Sequence, residues 1–253
     1  MKKLTFLIVF ILLFAVGVNA SANNVPILLY HDVQYQYAPN RAVITITPQR
    51  FEEHVAALLS NGYTPISFED VYNASHGKFA MPEKPVIISF DDGYATNYDY
   101  AFPVIQKYGI KTTIFVIVGT VGQTNVDNPH FTWEQAKIMQ QSGLVSIQSH
   151  TYSHYDLTTL DRLQLERELR LSKYLVEENL GTQCDILAFP YGNYNQQVVD
   201  VAKRAGYKVV AQVGETGVNT VGDVNTKPFV RITAYGSWTG QELILMMQEN
   251  TKQ

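Results

Sequence analysis

The chain carries a single cysteine, Cys184, in 253 residues. No internal disulfide can form, so buried apolar surface has to hold the fold unaided. Cys184 itself reads as a small buried hydrophobe. No G-x-G-x-x-G follows any apolar run, which leaves a dinucleotide fold without support. An excess of one charge is lacking as well: 19 Lys and Arg stand against 23 Asp and Glu, a net charge of −4. That balance gives no basic footprint for a nucleic acid or an anionic membrane surface. No histidine occurs after His154, and beyond residue 22 no apolar run is long enough to span a bilayer.

The one long apolar run lies at the start. Lys2 and Lys3 precede an apolar stretch over residues 4–18, and Asn19-Ala20-Ser21-Ala22 follows it. A basic segment, an apolar core and a small-x-small site make a secretory signal peptide, cut after Ala22. The expectation is a signal peptide over residues 1–22 and one domain over residues 23–253. The mature protein would be secreted, periplasmic or held in the cell envelope, without a membrane span. Nothing in the sequence specifies an oligomeric state.

Short β-branched and apolar runs predict strands at residues 26–30, 63–66, 86–90, 112–118, 144–149, 186–189, 207–213 and 229–232. Helical patterns lie between them. One opens at Thr47-Pro48, a Thr cap with proline at the first position, and ends at Asn61-Gly62. The others cover 68–74, 95–108, 132–141, 161–179, 196–205 and 239–249. Strands and helices alternate with short connections, the pattern of β-α units on a parallel sheet. Seven or eight such units predict an α/β fold closed into a β/α barrel, with an open doubly wound sheet as the alternative.

Both architectures put chemistry at the C-terminal ends of the strands. The residues at those ends are His31 and Asp32, Asp91 and Asp92, His150, Pro190-Tyr191-Gly192, and Arg231. Two adjacent carboxylates at the end of a buried strand are costly unless a cation meets them. His150-Thr-Tyr-Ser-His154 adds two imidazoles four residues apart, a spacing that puts both on one face of a helical turn. Two histidines and one aspartate give a divalent metal three ligands and leave a position open for water.

Three segments, Ser89-Phe90-Asp91-Asp92-Gly93, His150-Thr-Tyr-Ser-His154 and Pro190-Tyr191-Gly192, resemble in order and spacing the first three motifs of the polysaccharide deacetylases, carbohydrate esterase family 4. The resemblance covers nearly the whole mature chain. The opening Leu28-Leu29-Tyr30-His31, with Phe51, Gly62-Tyr63 and Ile66, resembles the branch that acts on poly-β-1,6-N-acetylglucosamine. It implies a distorted (β/α)7 barrel and a hydrolase that removes N-acetyl groups from an amino-sugar polymer. Asp92, His150 and His154 would hold a divalent metal, Zn2+ first, with Co2+ or Ni2+ as alternatives. Asp91 would be the general base, and the backbone N–H of Tyr191 would stabilise the oxyanion. Peptidoglycan, chitin and acetylxylan remain alternative substrates, and a glycan-binding protein with impaired catalysis is the rival reading.

Two departures from the family pattern bear on the site. The arginine usual two residues before the motif's proline is Ala188 here, and the late Leu-x-His that supplies the general acid is absent. The family's late acidic-tryptophan motif is not recognisable either. Arg231 is the candidate for the missing cation and His31 for the missing acid. Tyr35, Tyr37, Tyr94, Tyr98 and Trp238 offer flat faces to sugars, with core packing the competing role for Tyr98. His54, His76 and His130 read as solvated surface.

Overall fold

A computed structural model describes residues 24–36, 39–214 and 217–250. The expected signal segment and Tyr37 lie outside these residues. The described chain runs β1 (Ile27–Tyr30), β2 (Asp32–Val33), β3 (Thr45–Ile46), α1 (Pro48–Ser60), β4 (Thr64–Ile66), α2 (Phe68–Ser75) and β5 (Pro85–Phe90). It continues through α3 (Phe102–Tyr108), β6 (Thr112–Val116), α4 (Trp133–Gln141), β7 (Val145–Ser149), α5 (Arg162–Leu180) and β8 (Ile186–Ala188). It ends with α6 (Gln196–Ala205), β9 (Val209–Val213), β10 (Phe229–Thr233) and α7 (Gly240–Asn250).

Seven parallel strands close a barrel in the order β1, β10, β9, β8, β7, β6, β5, with β5 pairing back to β1. The open doubly wound alternative is thereby excluded. The seam is uneven. The first half of β5 pairs with β4, through Pro65↔Val86, and the second half pairs with β1, through Tyr30↔Phe90. β2 and β3 form a separate two-stranded ribbon beyond the end of β1; each is only two residues long, too short to leave a strand pattern in the sequence.

The pleat explains why these strands are apolar throughout. Successive side chains face opposite sides of the wall. Val86, Ile88 and Phe90 point outward into a core shared with the helices, alongside Leu28, Ile114, Ile147 and Leu187. Ile87 points inward with Ile27, Phe115, Ile186, Ala188, Ala211 and Phe229. Phe68, at the start of α2, is fully buried among them, with its ring 5.6 Å from Phe115 and 6.3 Å from Phe229. Cys184 is buried and unpaired, as expected.

Side-chain caps set the helix starts that the sequence predicts. Thr47 accepts from the N–H of Arg50, while Ser67, Thr132 and Asp161 each form a capping box. The expected helix over 95–108 is different. Residues Asn97–Ala101 form a π-turn, with the N–H of Phe102 donating to the carbonyl of Asn97, and only then does α3 begin. Pro103 has no N–H to donate, so the wider turn absorbs the missing bond. The π-turn lets the buried Asn97 side chain donate to the carbonyl of His31 at 2.7 Å.

Candidate active site

The alternation that buries Ile87 carries on to Ser89 and then Asp91, one residue beyond β5. His31 stands one residue beyond β1 and His150 one beyond β7. The register Tyr30↔Phe90, with the Asp91 N–H donating to the Tyr30 carbonyl at 2.9 Å, sets His31 beside Asp91. These side chains therefore gather at one mouth of the barrel. His31, Asp91, Asp92, His150, His154 and Tyr191 line one cavity of about 310 Å³.

Arg231 lies inside the barrel on β10 and is fully buried. Its two terminal nitrogens donate to the two carboxylate oxygens of Asp91 at 2.6 and 2.8 Å. Its guanidinium also lies 5.1 Å over the Phe115 ring. Phe68, Phe115, Arg231 and Asp91 thus form a column running from the buried Phe68 ring up to the mouth. Burial acts to raise the Asp91 pKa, but the Arg231 cation, then His150, more than reverses this. The carboxyl is held well below its usual range and is ionised at neutral pH.

Asp92 is different. It is buried, yet its Oδ1 has no hydrogen-bond partner. That oxygen lies 3.7 Å from His150 Nε2 and 3.6 Å from His154 Nε2. One ligand atom from each of Asp92, His150 and His154 falls within 4.8 Å of the others. His150 Nδ1 is engaged with the carbonyl of Ala188 at 2.9 Å, which places the proton on Nδ1 and leaves the Nε2 lone pair facing Asp92. Burial, then His150, lowers the His154 pKa to about 4, so this imidazole is neutral at pH 7. An orphaned carboxylate oxygen and an inward-facing imidazole lone pair fit a divalent cation and suit little else.

The two imidazoles do not converge through a helical turn as the spacing predicts. Residues 150–154 are a loop, with Thr151 and His154 in the left-handed region at φ 68° and 60°. Asp92 (φ 70°) and Tyr191 (φ 59°) are the other non-glycine residues with positive φ among those described. All four belong to the three motifs. Such conformations cost of order 1–3 kcal/mol each and persist where the surroundings impose them. Glycine provides room beside two of them. A Cβ on Gly93 would stand 3.0 Å from Val116 Cγ1, and one on Gly192 would stand 2.7 Å from the backbone nitrogen of Val213.

Glu168, on α5, holds the left-handed loop. Its buried carboxylate accepts from the N–H groups of Tyr152 (3.1 Å) and Ser153 (2.8 Å) and from the Ser153 hydroxyl (2.8 Å). The turn carrying Tyr191 uses the N–H groups of Gly192 and Asn193 for its own bonds and leaves that of Tyr191 without an acceptor among the described residues. The Tyr191 ring packs edge-on to His154, with centroids 4.7 Å apart, and is largely exposed. His31 lies within the field of Asp91 and Asp92, and burial outweighs their pull to lower its pKa. Asp32 takes no part in the cavity: it accepts from Arg41, Gln34 and Thr96 and ties down the loop that follows β2.

Glu168 is absent from the sequence-based set, although a signal exists. It falls in the apolar stripe Leu165, Leu169, Ser172, Val176 of α5, where a carboxylate has no reason to be unless it has partners. His54 shows the same signal within Phe51, Val55 and Leu58. It is fully buried rather than solvated, and bridges the Tyr30 hydroxyl (3.1 Å) and the Trp238 carbonyl (2.7 Å). His130 is also buried, its ring 5.1 Å from that of Tyr94, while His76 is exposed. Tyr98 packs against the core and Tyr94 lies under Arg41, 5.0 Å from ring centre to guanidinium.

Known proteins resemble this chain in sequence and fold. The family model for polysaccharide deacetylase matches residues 78–210, just over half of the chain. YxkH of Bacillus subtilis (strain 168), a protein assigned to the polysaccharide deacetylases, is 33% identical over 219 residues, covering 84% of this chain and 75% of its own. The poly-β-1,6-N-acetyl-D-glucosamine N-deacetylase of Escherichia coli (strain K12) is 26% identical over 242 residues, which is 80% of this chain and only 36% of the relative's length. The structure of the Streptococcus pyogenes deacetylase PplD, solved with acetate, superposes with a TM-score of 0.78 at 27% identity, over 88% of this chain and 98% of that one. With the family model spanning the strands that carry Asp91, Asp92, His150 and His154, this chain belongs to the polysaccharide deacetylases.

Proposed function

We propose that the protein is a metal-dependent N-deacetylase acting, outside the cytoplasm, on a polysaccharide that contains N-acetylglucosamine. One observation carries the reading: an ionised carboxylate clamped by a buried arginine stands beside a second carboxylate whose inner oxygen has no partner. The first suits a proton acceptor, the second a cation ligand. Asp92, His150 and His154 would hold the cation. Bound there, a divalent metal such as zinc supplies Lewis-acid activation of water and polarisation of the acetamide carbonyl.

Asp91 takes a proton as the water oxygen attacks the carbonyl carbon. Arg231 fixes both oxygens of that carboxylate and keeps it ionised between turnovers. The free N–H of Tyr191 donates to the carbonyl oxygen as it gains charge. The carbon–nitrogen bond then breaks, and the nitrogen leaves as an amine with the proton that Asp91 took from the water, relayed through the neutral His31 imidazole beside it. β1 lies between β5 and β10 and its pairing with β5 sets His31 beside Asp91, so a histidine early in the chain is available for the role of the missing late one. Acetate and a free amino sugar are the products. Residues 1–22 are read as the export signal and residues 23–253 as the one catalytic domain. The chain spans about a third of the Escherichia coli relative, so the specificity of that longer protein comes here as part of the proposal.

The test is acetate release from β-1,6- and β-1,4-linked N-acetylglucosamine oligomers by protein loaded with zinc, cobalt or nickel. Zinc binding is measured alongside by calorimetry. The wild type should bind one equivalent and release acetate. Asp91→Asn should bind zinc and release none, and Asp92→Asn should lose zinc affinity at least tenfold. A wild type that binds zinc and releases nothing from any oligomer would refute the enzyme and leave a metal-containing glycan binder.

A further inference from the structure

A second cavity, of about 470 Å³, adjoins the one that holds the triad. The two share Tyr191, Val213 and Thr233 as a common wall. Its volume lies within the roughly 300–1,000 Å³ of ligand-sized clefts. Its far side is aromatic. Tyr235 and Trp238 meet edge to face, centroids 5.0 Å apart and planes at 82°, with Tyr235 exposed and Trp238 half-buried. No ionised side chain lines the cavity among the described residues.

The turn that bears the pair is built to stay in place. A Cβ on Gly236 would stand 2.5 Å from the Thr45 carbonyl oxygen, so the turn lies directly against β3. The Trp238 N–H donates to the Tyr235 carbonyl at 3.0 Å. The Trp238 carbonyl meets Nε2 of the fully buried His54 at 2.7 Å, and the Tyr30 hydroxyl meets the other ring nitrogen. Pre-organisation of this kind lowers the ordering entropy lost on binding.

We infer that Tyr235 and Trp238, with the exposed Tyr191 ring at the junction, form a subsite that stacks on an uncharged, still acetylated sugar next to the one being processed. The inference rests on the deacetylase reading for the identity of the ligand. Aromatic planes suit the C–H face of a pyranose, and the absence of a carboxylate disfavours a cationic amino sugar as occupant. The shared wall sets the neighbouring residue within one sugar unit of the triad. The protein therefore recognises a chain of sugars, not a single one.

The test is calorimetric binding of β-1,6-linked N-acetylglucosamine oligomers of one to five units to zinc-loaded protein. It is done in the Asp91→Asn background so that the acetyl groups stay on. The pentamer should bind at least tenfold more tightly than the monosaccharide. Trp238→Ala and Tyr235→Ala should each remove most of that gain and leave monosaccharide affinity unchanged, while Trp238→Phe, which keeps a flat ring, should retain it. If Trp238→Ala melts early, Tyr235→Ala decides, since its ring is exposed. Unchanged length dependence in both alanine variants overturns the subsite, as does an equal loss for monosaccharide and pentamer. The enzyme reading fails separately, if the wild-type protein binds oligomers with this length dependence yet releases no acetate.

Discussion

The mouth of the barrel is furnished from two sources that differ in conformation. Asp91, His150, Arg231 and His31 come from strands or the first residue past them and face inward by simple alternation. Asp92, His154 and Tyr191 come from the loops, and each has a left-handed φ, between 59° and 70°. The strand-borne groups are held by charge pairing and carbonyl contacts: Arg231 grips Asp91, and the Ala188 carbonyl grips His150. The loop-borne groups are held against their own backbone preference by neighbours such as Glu168. A parallel strand end delivers side chains to one layer at no conformational cost. Bringing three ligand atoms to one point requires the chain to leave the pleat abruptly, and the strain accumulates there.

The strand-borne half should break most severely when its buried pair is split. Arg231→Ala leaves the Asp91 charge in the barrel with no partner. Removing one member of a buried pair costs about 3–5 kcal/mol, which in a domain of this size lowers the melting temperature by roughly 10 °C. Thermal unfolding followed by circular dichroism checks this. Arg231→Lys should recover only part of the loss, because a single ammonium cannot donate to both Asp91 oxygens in parallel. If Arg231→Ala melted within 2 °C of wild type, charge pairing would not be what holds this half.

The loop-borne half should respond next, and in a different observable. Glu168→Ala strips the acceptor from two backbone N–H groups and one hydroxyl, for a loss of about 2 kcal/mol. Because the loop places His154, zinc affinity should fall about tenfold, the lower end of the range for groups that orient metal ligands. Glu168→Gln keeps an acceptor oxygen and should restore most of both. Calorimetry with zinc separates this from a purely structural role: a stability loss with unchanged zinc affinity would mean that Glu168 merely staples α5 to the loop.

The same division decides what could be read from the sequence. Strand-borne residues were legible, because Ile87-Ser89-Asp91 continues a period of two and the run is bounded by Pro85 and Gly93. Barrel closure was legible only as a count of β-α units, and the uneven seam of β4 and β1 on β5 was not. Loop conformation was illegible. Thr151 and His154 carry nothing that favours positive φ, so four-residue spacing suggested a helical turn where the chain makes a strained loop. Partners distant in sequence were visible only as anomalies: Glu168 in the apolar stripe of α5 and His54 in that of α1. Arg231 sits 140 residues from Asp91; residues 229–232 mark a strand and Arg231 is the candidate cation in the sequence, and the barrel adds that its side chain points inward and meets both carboxylate oxygens.

The finest test separates ring from backbone at Tyr191. With φ 59°, this residue occupies a region that costs an L-residue about 1–2 kcal/mol and costs glycine almost nothing. A β-branched side chain is the least tolerated there. Tyr191→Gly should therefore melt close to wild type, the relief of strain offsetting the extra freedom of the unfolded chain. Tyr191→Val should melt lower than Tyr191→Gly by about 1–2 kcal/mol, although valine restores more apolar surface. Ordinary packing would give the opposite ranking, with valine above glycine. Since the proposed oxyanion contact is the backbone N–H, Tyr191→Gly, which keeps that donor, should retain acetate release from a short oligomer far better than Tyr191→Pro, which removes the donor and cannot hold φ 59°. Equal activity in the two would detach the oxyanion role from this turn and leave the left-handed residue as a packing requirement alone.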